Sequence, residues 1–198
     1  MRLNKHQKAA VEKVKSGEHA TICEALGGVL EGPTLQAWKV SEICEQAGWH
    51  GDNLEASVAT FLSESNGSVG AYNDNLDASG NVTSRDCGIP QINIPASQIG
   101  SDYETKLRTD PVFAIKEARK KWLAWGGDKG TQAGFKQGWN HWVGYSSGVA
   151  MDPAAAGYYI WRALRGIANH RGDVRGLGNP ATVPAFYYQG GKRRPPGH

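Results

Sequence analysis

The sequence predicts an α+β domain, mainly α, with one small antiparallel sheet or hairpin, and three observations predict it. Apolar residues recur at the three-and-four spacing of buried helix faces along most of the chain. Between residues 70 and 94 that spacing gives way to Gly, Asn, Asp and Ser clusters, then to the extended-looking run Ile89–Ile94. Hydrophobic residues make up 39% of 198 positions, enough for one core, and no apolar run approaches the ~18 residues of a membrane span.

The elements follow in order. Residues 4–15 read as a short charged helix with Asn4 as its N-cap, and a second helical stretch covers 18–26. The turn signals Gly27-Gly28 and Gly32-Pro33 close this opening region, which looks like an appendage over residues 1–33. Ala37, Val40, Cys44 and Ala47 mark the next helix, stopped at Gly48. Asp52-x-x-Glu55 resembles a capping box and opens a helix whose stripe is Leu54, Val58, Phe61 and Leu62. Asn66-Gly67 ends it. After the strand-like region, Asp110-Pro111 starts a helix with Ile115, Ala118, Trp122 and Trp125 on its apolar face, broken at Gly126-Gly127. Trp139, Trp142 and Tyr145 form a short aromatic helix or turn. Asp152-Pro153 opens a last helix to about Asn169. The main domain is therefore expected over 34–169, with an extended Gly/Pro-rich basic arm over 170–198.

Cys23, Cys44 and Cys87 are an odd set with no C-x-x-C pair, which argues against a disulfide framework and a thiolate zinc site. They are expected to be reduced and buried, with a Cys23–Cys44 bridge as the alternative. No signal peptide is visible, so synthesis in a cytoplasm is expected. The charge is uneven. Residues 1–150 hold fifteen Lys/Arg against seventeen Asp/Glu, a net −2, and residues 151–198 hold seven against two, a net +5. The tail Lys192-Arg193-Arg194 can attract polyanions or simply aid solubility. It lacks interleaved aromatic platforms, so nucleic acid is not an expected partner. The six histidines form no metal-binding spacing, Ser146-Ser147 lacks the setting of a nucleophile elbow, and no phosphate-binding glycine loop occurs. Neither metal nor cofactor is expected. Arg171-Gly172-Asp173 reads as a loop.

Glu64 is the residue suited to carry chemistry. It ends an apolar helix just after Phe61 and Leu62, where burial and the negative end of the helix dipole both disfavour ionisation. A carboxyl kept protonated near neutral pH is a proton donor. Taken alone, a glutamate in a last helical turn is more often a surface charge.

Its neighbourhood carries a resemblance. Glu64-Ser65-Asn66 is followed, after a polar loop, by Asp86-Cys87-Gly88-Ile89-Pro90-Gln91-Ile92-Asn93, and later by Trp139-Asn140-His141-Trp142-Val143-Gly144-Tyr145-Ser146. In this order the motifs resemble the lysozyme superfamily: the Glu-Ser-Asn…Asp-x-Gly-Ile-x-Gln-Ile-Asn pattern of animal lysozymes, and the closing Trp…Tyr segment of phage lysozyme-like and lytic transglycosylase domains. The resemblance spans residues 35–150. It implies a lysozyme-like fold with the small sheet beside a cleft, and cleavage of the β-1,4 bond between N-acetylmuramic acid and N-acetylglucosamine, by hydrolysis or by transglycosylation. Glu64 would be the catalytic acid, and Asp86 the second carboxylate or a brace for the hairpin. Gln91 and Asn93, alternating along a strand, would face the saccharide. Tyr145 would hydrogen-bond near Glu64, with a core tyrosine as the alternative; Trp139 and Trp142 would wall the cleft, although tryptophans at helical spacing are more often core.

Cys87, Pro90 and Ser146 depart from the family pattern, which bears on substrate positioning and leaves a non-catalytic descendant as the second reading. The expected partner is the peptidoglycan glycan strand. A bacteriophage lysin or virion-associated protein acting at the host cell wall would suit the resemblance, with residues 1–33 and the basic arm touching other virion or tail proteins. A structural, wall-binding tail protein is the alternative.

Overall fold

The computed structural model describes residues 3–127, 138–139 and 141–147. Helices α1 (Lys5–Ser16), α2 (Ile22–Ala25), α3 (Ala37–Gln46) and α4 (Asp52–Ser65) precede strands β1 (Tyr72–Leu76), β2 (Val82–Cys87) and β3 (Ile92–Pro95). Helices α5 (Asp102–Thr109), α6 (Pro111–Ala124) and α7 (Val143–Ser146) follow. This is the mainly helical α+β architecture expected, with an antiparallel sheet in the order β1-β2-β3. The helix expected over 152–169 and the arm over 170–198 lie outside the described residues.

Local chemistry explains the boundaries. Asn4 Oδ1 accepts the Gln7 N–H at 2.8 Å while the Gln7 side chain accepts the Asn4 N–H at 3.0 Å, a complete capping box for α1. Helix α4 begins at Asp52, with Gly51 in the cap position at φ 55°, one residue earlier than the pattern Asp52-x-x-Glu55 implies. The helix ends at Asn66, whose left-handed φ of 53° turns its N–H back onto the Leu62 carbonyl. Asp110 caps α6 by accepting the Phe113 N–H at 2.9 Å, and Pro111 stands at the first helical position. Helix α5 is an addition to the expected elements, started by the Ser101 hydroxyl on the Glu104 N–H.

The main core lies between α3, α4, α6 and the sheet, around the buried rings of Trp49, Phe61, Trp122 and Trp139. Trp49 stacks on Trp139 at 4.9 Å and meets Trp122 edge-on at 5.0 Å. Aromatic contacts of this kind contribute about 1 kcal/mol each beyond area burial. All three cysteines are free and buried, in agreement with the reduced reading.

Within the opening region, expected as an appendage, described residues of α1, α2 and the segment after it pack on other elements. Ala10, Val11 and Val14 of α1 form a second apolar cluster with Ile22, Ala25 and Val143, the last from α7. Val29 bridges to Tyr72 at the edge of the sheet.

The sheet is two-faced. The register pairs Asn73 with Asp86 and Asp86 with Asn93, and side chains alternate along each strand. Asn73, Asn75, Ser84, Asp86 and Asn93 therefore share one face. Tyr72, Asp74, Arg85, Ile92 and Ile94 share the other, where the two isoleucines are buried.

Candidate active site

Helix α4 delivers Glu64 to the floor of a cleft of about 420 Å³, with its side chain almost wholly withdrawn from water. Burial pushes the carboxyl up from 4.5 to about 8; a hydrogen bond from Gly144 opposes the rise, and the negative charge of Asp86 adds to it. That hydrogen bond is a backbone one: the Gly144 N–H donates to Glu64 Oε1 at 2.7 Å. A protonated carboxyl that accepts on Oε1 carries its proton on Oε2. Position 144 suits glycine, because a Cβ there would lie 2.4 Å from Ser63 Oγ and 3.1 Å from Glu64 Oε1. The absence of a side chain lets the α7 backbone reach the acid.

Strand β2 brings Asp86 to the same cleft, half-buried in a ring of amides. Its Oδ1 accepts Asn93 Nδ2 at 2.8 Å and its Oδ2 accepts Asn75 Nδ2 at 2.9 Å, with Asn73 adding a further hydrogen bond. Burial raises its pKa, and the three asparagines oppose that rise. Asn93 also donates to Ser84 Oγ at 3.0 Å. The amide face of the sheet is thus a fixed lattice of donors and acceptors around one carboxylate, facing the space that Glu64 borders. Lys121, Trp125, His141 and Trp142 also line the cleft. The His141 ring stacks on Trp125 at 3.8 Å, and burial lowers the imidazole's pKa.

The sequence-expected residues divide. Glu64, Asp86, Gln91, Asn93 and Trp142 all line this cleft. Gln91 does so from a turn rather than the expected strand: β3 begins one residue later, Gln91 has φ 50°, and its Nε2 donates to the Gly88 carbonyl at 2.8 Å. Pro90 occupies the same turn, where no ladder donor is needed. Trp142 is buried at the edge of the cleft, its indole N–H donating to the Pro90 carbonyl at 2.7 Å. Trp139 is a core residue, its N–H on Asn53 Oδ1 at 3.3 Å. Tyr145 packs 5.7 Å from Trp139, and its neighbour Gly144 donates its N–H to Glu64.

Several cleft groups escaped the sequence reading. Asn73, Asn75 and Ser84 carry a signal, the period-two alternation in Asn73-x-Asn75 and Ser84-x-Asp86, which places them on the face of Asp86. Trp125 was assigned to the buried stripe of α6, yet it caps the helix half-exposed and lines the cleft. Gln7, Ile22 and Leu26 bring the first 33 residues into its wall. The Gly144 N–H has no sequence signal, being a backbone group 80 positions from its partner.

Among the described residues no cluster of His, Cys, Asp and Glu is placed to hold a metal, and no helix is long and apolar enough to cross a membrane. No protein-family model matches the chain, and neither a curated protein nor a solved structure matches it.

Proposed function

We propose that the chain is a peptidoglycan-cleaving glycosidase that breaks the β-1,4 bond between N-acetylmuramic acid and N-acetylglucosamine, with Glu64 as its general acid. The observation that carries this reading is Glu64 itself: a carboxyl kept protonated to about pH 8, bordering a cleft whose other side is an amide-rich sheet face. Amides both donate to and accept from sugar hydroxyls. Glu64 Oε2 gives its proton to the glycosidic oxygen as the C1–O bond breaks, and the leaving sugar departs as an alcohol. Positive charge then develops on the ring, and the Asp86 carboxylate supports it. The resulting Glu64 carboxylate takes a proton from water, which adds at C1. In the transglycosylase variant it takes the proton from the sugar's own C6 hydroxyl, which closes an anhydro ring.

Asp86 is read as electrostatic support, its charge held in place by an amide hydrogen bond on each oxygen. Zymography on purified cell walls tests the proposal. Wild-type protein should clear the wall and Glu64→Gln should not. Mass spectrometry of the products separates reducing ends from anhydro ends. Failure of the wild type to clear any wall, with glycan binding retained, would favour a wall-binding protein without turnover.

A further inference from the structure

Lys121 stands apart among the charged residues of the cleft. It lies in the last turn of α6, four positions before Trp125, so the two side chains share a helix face and border the same space. Its Nζ makes one long hydrogen bond, to the Asn93 carbonyl at 3.5 Å, and no described carboxylate lies within ion-pairing distance of it. Its neighbours in sequence behave differently, since Lys120 pairs with Glu117. An ammonium has three donors, so most of Lys121's capacity is unspent. In the same cleft Glu64 is neutral below about pH 8, and His141 titrates below the ordinary histidine range. Lys121 is the one Lys or Arg among the described lining residues, beside the strand that would hold the sugar, with Asp86 as the carboxylate bordering the same space.

We propose that Lys121 forms a carboxylate subsite that distinguishes acidic from neutral glycans. The inference rests on the glycan-cleaving reading and sharpens it. Alternate sugars of peptidoglycan carry a lactyl ether ending in a carboxyl, free or joined to a peptide with carboxylates of its own. A chain of N-acetylglucosamine carries none. The ammonium, at the open side of the cleft beside the Asn93 carbonyl, gives the charge-assisted hydrogen bond that only the acidic polymer can accept.

Binding to Glu64→Gln protein, which leaves the ligand intact, tests this by calorimetry with three hexasaccharides: neutral N-acetylglucosamine, the peptide-free alternating glycan and its peptide-bearing form. Adding Lys121→Met should weaken acidic-glycan binding about tenfold, the worth of one charge-assisted bond in a half-open cleft, and leave the neutral hexamer unchanged. Lys121→Arg should restore most of it, and salt should weaken the acidic ligands selectively. A loss confined to the peptide-bearing form assigns the stem carboxylate; a loss with both acidic forms assigns the lactyl group. An equal effect on neutral and acidic glycans, or none on either, overturns the subsite while the glycan cleft stands. If Glu64→Gln protein binds none of the three, the glycan reading fails and the subsite with it. Matching melting curves establish that the Lys121 variants are folded.

Discussion

Glu64 and Glu104 both lie out of contact with water, 3% and 4% exposed, but Glu64 sits deep in the protein and Glu104 close under its surface, and they hold their protons with opposite affinity. At Glu104 burial pushes upward, but the Gly100 N–H at 2.5 Å, Arg85 at 2.8 Å and Arg108 at 3.1 Å outweigh it and hold the carboxyl below its usual value. Both arginines are anchored further, Arg85 as a fork on Asp74 and Arg108 on Glu31, and the Tyr72 ring lies within 4.6 and 4.3 Å of their guanidiniums. Among the described residues Glu64 has the Gly144 N–H and no cation in an ion pair with it, and burial prevails. Depth and partners act together: desolvation sets the direction where the carboxyl is deep and donors are few, and cations set it where the carboxyl lies shallow between two arginines. One side of the sheet spends its charges on structure, and the other keeps a proton in reserve.

The largest effect that tests this contrast is at Glu64. Glu64→Gln should reduce turnover on cell walls by about a thousandfold, the usual share of a general acid. It should also stabilise the fold at neutral pH. Because the folded-state value, about 8, lies above the unfolded 4.5, the stability linked to this group is complete below about pH 4.5 and is lost as pH climbs to about 8. At pH 7 the linked cost is roughly 3 kcal/mol. Melting curves from pH 5 to 8 should fall for wild type and stay nearly flat for Glu64→Gln. Parallel curves would mean that Glu64 is ionised in the fold.

Glu104→Gln should act in the opposite sense. It leaves two partly buried guanidiniums short of a carboxylate and should cost about 3 kcal/mol at neutral pH, read by urea unfolding, with turnover per folded molecule retained. Its folded value is depressed, so its contribution is present above the ordinary carboxylate range and is lost as pH falls through the folded value. The gap between wild type and variant should narrow in acid. A gap that widened there would show that the arginines do not stabilise the Glu104 carboxylate.

These two regions were unequally legible from sequence. Glu64 was visible because Phe61 and Leu62 precede it on an apolar stripe and Asn66-Gly67 marks the helix end. The sheet was visible through its Gly, Asn, Asp and Ser clusters. The Glu104 cluster was hidden because α5 has little apolar periodicity, with Tyr103 and Leu107 alone, although Ser101-x-x-Glu104 is a start signal. Its ion pairs join Glu31, Asp74, Arg85, Glu104 and Arg108, brought together by tertiary folding that no local window contains. The same reason hid the Gly144 N–H. Trp139 stayed open between cleft wall and core because three-residue spacing marks a buried face equally well whichever lies beyond it.

Smaller effects separate the two influences on Glu64. Gly144→Ala would place a methyl 2.4 Å from Ser63 Oγ, displacing the N–H from Oε1 at a cost of about 2 kcal/mol in stability. The lost hydrogen bond favoured the carboxylate, so the alkaline limb of the pH–rate profile should move up. Asp86→Asn should move that limb down, because the charge that helps keep Glu64 protonated is gone. Its amide can accept on one oxygen only, where the carboxylate accepts from Asn75, Asn93 and Asn73, so the donor lattice loosens as well. The loss in kcat/KM should be about tenfold, well short of that at Glu64, as befits a group that acts through its field. A loss equal to that of Glu64→Gln, with trapping of a glycosyl group on Asp86, would make Asp86 the nucleophile. The amide ring would then be what orients it for attack.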